Sequence, residues 1–212
     1  MEHHGPSHQN HSHASQEEGW WVEGAKTVGL SLLLAFGIRT FVAEARYIPS
    51  GSMLPTLEIN DRLIIDKISY RFHEPERGDI VVFSPPQALR ERGFNDDFIK
   101  RIVGLPGERV EIREGRVYIN DQPLTELYVA NGDETSVETC AAPGAEVKPF
   151  LAEPQTIPAD QYLVLGDNRY NSLDGRCWGL VGKPNLVGRA AFRFWPFNRL
   201  GTIPETKTLK EN

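Results

Sequence analysis

The run Ile48-Pro-Ser-Gly-Ser-Met-Leu-Pro55 carries two hydroxyls on a short, stiff turn. Gly51 opens backbone conformations closed to other residues, and Pro49 and Pro55 fix the flanks. Such a turn can aim one serine and nearby backbone N–H groups at a single carbonyl, as acyl transfer requires. Taken alone, the same residues also make a solvated surface turn. A serine hydroxyl is a weak nucleophile at neutral pH and needs a base within hydrogen-bond reach. Histidine, the usual base, is scarce: five of the six lie in the first 13 residues, leaving His73. A Ser-His-Asp triad could therefore draw only on His73. Lysine can serve instead where burial disfavours its ammonium form. Lys100 fits this need, because in an extended run Phe98, Lys100 and Ile102 share one face. The pattern equally allows the amine to reach solvent, the default for lysine. Lys67, in Ile64-Ile-Asp-Lys67, is the rival, with Asp66 beside it to keep it charged.

The elements that must position these groups read as β. Strand-like runs lie at residues 63–68, 79–83, 98–103, 110–113, 116–119 and 161–165, separated by Glu114-Gly, Asn120-Asp and Pro106-Gly turns. Gly115, between two alternating runs, predicts a hairpin. No helical pattern recurs between strands, which excludes a parallel α/β sheet and leaves a mainly β class. Residues 121–158 carry Pro, Thr, Glu and Gly without strong periodicity.

Ahead of the β region, residues 20–43 are apolar; as a helix they reach about 36 Å, enough to cross a hydrocarbon layer of about 30 Å. Trp20 and Trp21 suit one interface, and Arg39 can snorkel toward the other. Ala43-Glu-Ala45 has the A-x-A form of an export-signal cleavage site. The acidic leader and Arg39 favour a retained anchor over a cleaved signal. Residues 1–19 are polar and read as a disordered tail. Its clustered His3, His4, His8, His11 and His13 have no scaffold to hold a metal. With 212 residues, 40% of them hydrophobic, the chain can bury the core of one domain. Net charge is −6 with no long basic run, which argues against a nucleic-acid partner. Cys140 and Cys177 lack metal-ligand spacing, and both a disulfide and two free thiols remain open.

Further segments follow the serine turn in order: Leu57-Glu-Ile-Asn-Asp-Arg-Leu63, Arg77-Gly-Asp-Ile-Val-Val-Phe83, Phe98-Ile-Lys-Arg-Ile-Val-Gly-Leu-Pro-Gly107 and Gly166-Asp-Asn-Arg-Tyr-Asn-Ser-Leu-Asp-Gly-Arg176. In this order the set resembles the type I signal peptidases, membrane-anchored Ser–Lys endopeptidases that remove signal peptides from exported proteins. The resemblance runs from about residue 20 to about 196. It implies one transmembrane helix followed by an antiparallel β-sheet catalytic domain at residues 44–212, with a variable insertion at about 121–158.

Ser52, the serine before Met53, then matches the nucleophile and Lys100 the general base. Ser50 matches a hydroxyl that helps hold the oxyanion, and Ser172 one that orients the lysine amine. Asp174 and Arg176 match a supporting ion pair, with Asp167 and Arg169 in the same turn. Ile48, Met53, Phe98 and Ile99 are candidates to line shallow pockets for the small residues of an A-x-A cleavage site. The chemistry needs no metal or organic cofactor. The implied partners are signal peptides of secretory preproteins and the lipid bilayer. One departure stands out: the family usually reads Asp-Ser-Arg where this chain has Asp174-Gly175-Arg176, which removes one possible support for the lysine. Two other readings compete. A self-cleaving Ser–Lys repressor would carry a DNA-binding region where this chain has an apolar span, and a tethered β-domain would bind without catalysis.

Orientation divides the indicators. Lys26 precedes the span while Arg39 and Arg46 follow it, so the positive-inside count places the C-terminal part inside. The resemblance places it on the outer face of the plasma membrane, or across a thylakoid membrane in a photosynthetic cell, and is followed here. The intact chain should thus resist alkaline extraction from membranes. Protease added outside sealed cells should digest the C-terminal part; digestion of the first 19 residues alone would reverse the orientation.

Overall fold

The computed structural model describes Met1 and residues 14–130, 134–140 and 148–203. The chain divides into two units, Met1–Val42 and Ala43–Asn212. In the first, helix α1 spans Ala14–Phe41. It starts before the apolar segment because Ala, Gln and Glu are good helix formers and carry the helix back through the polar leader. Within it, Gly19–Phe41 is long and apolar enough to cross a membrane by length and composition. The Thr27 and Ser31 hydroxyls donate to the carbonyls of Glu23 and Thr27, so both polar side chains are satisfied inside the helix. The histidine cluster lies outside the described residues.

The described residues of the second unit hold twelve strands: β1 (Ala43–Tyr47), β2 (Arg62–Asp66), β3 (Ile80–Phe83), β4 (Phe98–Gly104), β5 (Arg109–Arg113), β6 (Arg116–Ile119), β7 (Gln122–Pro123), β8 (Gln155–Thr156), β9 (Gln161–Leu165), β10 (Val181–Gly182), β11 (Leu186–Trp195) and β12 (Gly201–Thr202). Every pairing is antiparallel. The larger sheet runs β1-β2-β11-β3-β4-β9-β10, with β12 on β11; the smaller runs β7-β6-β5-β8. This is the mainly β, antiparallel class expected from the sequence.

Strand β4 occupies an interior position between β3 and β9, and both of its faces are closed. Ile102 packs with Val81, Phe83 and Val164, while Ile99 packs against the cluster of Met53, Leu57 and Ile65. A residue in the middle of this strand can therefore be withdrawn from water on either face. The β5–β6 hairpin turns at Glu114 and Gly115, with φ of 52° and 72°, the two left-handed residues of a type I′ turn.

Six of the twelve strands lie outside the expected runs: the two-residue β7, β8, β10 and β12, and the longer β1 and β11. β11, ten residues long, shifts register against both β2 and β3, so its period-2 pattern is broken. β1 follows the apolar helix without a turn signal and carries the Ala43-Glu-Ala45 triplet paired to β2. Lys67 forms an ion pair with Glu44 at 3.5 Å, while the Asp66 carboxylate accepts from the Ile68 and Ser69 N–H groups.

Cys140, in the 3-10 turn Glu138–Cys140, is bridged to Cys177, in the helical turn Gly175–Trp178. This resolves the two readings of the cysteines. The bridge fastens the segment between β7 and β8 to the turn that follows Asp174. Thiol labelling of unreduced, unfolded protein should find no free sulfhydryl at either cysteine. Paired Cys140→Ser and Cys177→Ser replacement should cost about 4 kcal/mol of unfolding free energy in the chain-entropy account, measured by urea titration.

Candidate active site

Ser52 lies in the 3-10 turn Gly51–Met53. The turn is held by apolar anchors on both sides: Ile48 and Met53 are closed into the core with Leu57 and Leu63. Ile48 and Met53, expected as pocket candidates, are thus buried at 2% and 0% exposure. Met53 carbonyl accepts from Leu57 N–H at 2.9 Å, and Ile48 exchanges backbone bonds with Asn60 and Asp61.

β4 brings Lys100 to this turn. Its Nζ donates to Ser52 Oγ at 2.8 Å and to the Ile99 carbonyl at 2.9 Å, and the residue is 4% exposed. Burial pushes the amine down to about 8, while the carboxylates of Asp174 and Asp167 pull it back up. The lysine's own strand carries no carboxylate; the fold supplies these two from the segment after β9. The Phe98 ring lies 5.8 Å from the amine. Ser50 is exposed at the mouth, and its hydroxyl is 3.5 Å from Ser52 Oγ. A cleft of about 420 Å³ opens over the pair, lined among others by Phe98, Ile99, Phe94 and Leu173. Of the four expected pocket residues, only Phe98 and Ile99 line it.

The segment Gly166–Arg176 forms the floor. Arg101, beside Lys100 but on the opposite face of β4, holds Asp167 through two bonds of 2.8 and 2.6 Å. Arg176 holds Asp174 likewise, at 2.8 and 2.9 Å. Both pairs are sealed from solvent. Asp174 also accepts from Gly166 N–H at 3.0 Å and caps the turn that begins at Gly175. Asn168 reaches across to the serine turn: its N–H donates to the Ser52 carbonyl and its side-chain amide to the Gly51 carbonyl, each at 3.1 Å. This contact was not foreseen, since nothing in the sequence pairs residues 51 and 168. Ser172 is buried beside Gly166, but its hydroxyl has no hydrogen-bond partner. The structure thus does not join Ser172 to the Lys100 amine.

Two glycines are fixed by space. A Cβ on Gly166 would lie 2.2 Å from Ser172 Oγ and 2.6 Å from the Ser52 carbonyl oxygen. One on Gly175 would lie 2.9 Å from the Val164 carbonyl oxygen and 2.8 Å from Leu163 Cδ1. The departure Asp174-Gly175-Arg176 therefore matches a position with no room for a side chain.

A buried serine–lysine contact under an open cleft, on an antiparallel β scaffold, defines a serine endopeptidase geometry. Residues 21–195 match the family described as signal peptidase, peptidase S26, and the chain belongs to that family. It is 54% identical to a signal peptidase I of Leptolyngbya laminosa over 184 residues, covering 86% of this chain and 83% of the relative. A probable signal peptidase I-2 of Synechocystis is 53% identical, with 90% of this chain and 81% of that protein covered. A probable chloroplastic thylakoidal processing peptidase 2 of Arabidopsis thaliana is 38% identical over 85% of this chain and 46% of its own length. The reaction is the removal of signal peptides by a serine endopeptidase; neither the repressor nor the non-catalytic reading is favoured.

Gly166→Ala should displace the serine turn or the Ser172 side chain. We expect a loss of about 1–3 kcal/mol in unfolding free energy, as for other overpacked sites, and at least a tenfold loss of kcat/KM on a preprotein. Wild-type cleavage by this variant would show that the close approach is dispensable.

Proposed function

We propose that Ser52 is the nucleophile and Lys100 the general base of this peptidase. The observation that carries the reading is the 2.8 Å contact between Lys100 Nζ and Ser52 Oγ, both residues being buried at the base of the cleft. A neutral amine has two N–H groups and one lone pair. The Ile99 carbonyl takes one N–H, which leaves the lone pair free to receive the Ser52 proton. As Ser52 Oγ adds to the scissile carbonyl, charge grows on the carbonyl oxygen. The Ser52 backbone N–H and the Ser50 hydroxyl are the donors placed to stabilise it. Lys100, now an ammonium, returns the proton to the departing amine. Water then hydrolyses the acyl-enzyme, with Lys100 again as base.

The substrate is a preprotein whose cleavage site carries small residues, bound in the cleft between Phe98, Ile99 and Leu173. The anchor is α1, with its Gly19–Phe41 stretch in the bilayer, and residues 43–212 form the peptidase domain. We place that domain on the outer face, where preproteins emerge; the relatives include both cyanobacterial and thylakoidal enzymes, which supports either a plasma or a thylakoid membrane. Ser52 follows Ala43 by nine residues, so even an extended connection keeps it within roughly 30 Å of the end of the span. The acidic composition supports no nucleic-acid role.

A Lys100→Arg variant keeps a positive charge but cannot lose its proton at workable pH. It should fold and insert, yet cleave at least about a thousandfold more slowly, as when an essential general base is lost. Wild-type kcat/KM should fall tenfold per unit below about pH 8, where the amine protonates. The matching stability effect has a definite sign. The unfolded lysine binds its proton first, so the group destabilises the fold progressively as pH falls from about 10.4 to about 8. Below that window the cost is constant. An active Lys100→Arg enzyme would overturn the dyad.

A further inference from the structure

The segment after β7 touches the floor of the site at two points that the reaction itself does not use. The Tyr128 ring covers the Arg101 guanidinium, with Cζ 4.0 Å from the ring centroid. The Tyr128 hydroxyl donates to Glu126 Oε1 at 2.7 Å. Glu126 in turn accepts from both terminal nitrogens of Arg169, at 2.5 and 2.9 Å. Arg169 Nε then donates to the Gly166 carbonyl at 3.0 Å. Gly166 leads directly to Asp167, which is held by Arg101. The contacts close on themselves: Arg101, Tyr128, Glu126, Arg169, Gly166, Asp167 and back to Arg101.

We propose that Glu126 and Tyr128 are positioning residues for the reaction, forming a strap that fixes the 166–169 turn against the serine and lysine. Two buried arginines, from β4 and from the floor, are tied to one short stretch of chain. The turn they hold is the one whose Asn168 donates to the Ser52 and Gly51 carbonyls. A shift of the turn is therefore passed to the nucleophile's backbone, including the N–H that serves the oxyanion. Arg101 neighbours Lys100 in sequence, so the ring also steadies the strand that delivers the base. Burial and the Glu126 carboxylate raise the Tyr128 phenol well above its ordinary range, so the hydroxyl stays protonated and remains a donor. An aromatic face suits a guanidinium that already spends its N–H groups in its own plane. The exposed neighbour Leu127 takes no part.

This inference rests on the Ser52–Lys100 reading, and the test separates the two. Intact enzyme in detergent micelles is assayed with a peptide carrying an Ala-x-Ala cleavage site, with kcat and KM measured separately and normalised to the acyl-enzyme burst. Tyr128→Phe keeps the ring on Arg101 and loses only the bond to Glu126; Tyr128→Leu keeps bulk and loses the aromatic face. Glu126→Gln removes the charge that Arg169 holds. We expect kcat to fall about threefold in Tyr128→Phe and at least tenfold in Tyr128→Leu and Glu126→Gln. KM should stay within twofold in all three. Tyr128→Phe and Glu126→Gln combined should lose little more than Glu126→Gln alone, because they cut one ring of contacts. The strap is overturned if kcat per active site is unchanged, or if KM rises while kcat holds. Should Tyr128→Leu fail to fold, Tyr128→Phe and Glu126→Gln decide by the same criteria. Lys100→Arg runs beside them: activity there overturns the dyad, whereas an inactive Lys100→Arg with wild-type strap variants overturns the strap alone.

Discussion

A lysine amine held out of water, with two aspartates nearby, sets the terms for the rest of this domain. Either aspartate, left with its full charge in a buried place, would draw a proton onto the lysine. Each is instead locked in two bonds to an arginine, Asp167 to Arg101 and Asp174 to Arg176. Removing one partner from such a buried pair exposes an uncompensated charge and costs about 3–5 kcal/mol in general. The arginines thus do two things at once: they stabilise the floor and they soften the fields that would keep Lys100 charged. Both carboxylates still pull the amine toward its charged form, against the larger effect of burial.

The scaffold follows from that need. The proposed base is kept dry by its place on an interior strand, since β4 is flanked by β3 and β9. Consecutive residues of a strand face opposite ways, so Lys100 can meet the serine while Arg101 grips the floor from the other side. The larger sheet carries Lys100, the apolar anchors Ile48 and Met53 hold the Ser52 turn, and the Gly166–Arg176 segment joins the two. The disulfide at Cys177 lies one residue beyond Arg176, so it ties the intervening segment to the same floor.

The serine, the lysine and the arginine–aspartate segment, which the structure brings together, lie in short motifs, and the scarcity of histidine is what suggested a lysine as the proposed base. Six of the twelve strands, β2 to β6 and β9, were legible through alternation and turn residues. β11 was not, because bulges break its period and Gly188 passes close to the Asp66 carbonyl. The burial of Ile48 and Met53 with the core was less legible, since neighbourhood in sequence does not say which way a turn aims its side chains. Contacts such as Asn168 with Ser52, or Tyr128 with Arg101, join distant segments and leave no local pattern. The segment after residue 121 looked featureless for the same reason, since its described residues, such as Glu126 and Tyr128, are held by what they touch.

The tight fit around Gly175 reaches beyond one residue. Its missing side chain leaves the space taken by Leu163 Cδ1 and the Val164 carbonyl, so positions 163, 164 and 175 share one volume. A serine at 175 would need a smaller residue at 163 and a shifted β9 backbone, and β9 is the strand that pairs with β4 behind the base. The two versions of this turn, with and without a hydroxyl, are then alternative packings rather than interchangeable letters. Grafting the hydroxyl alone would strain the strand on which the lysine's own position depends.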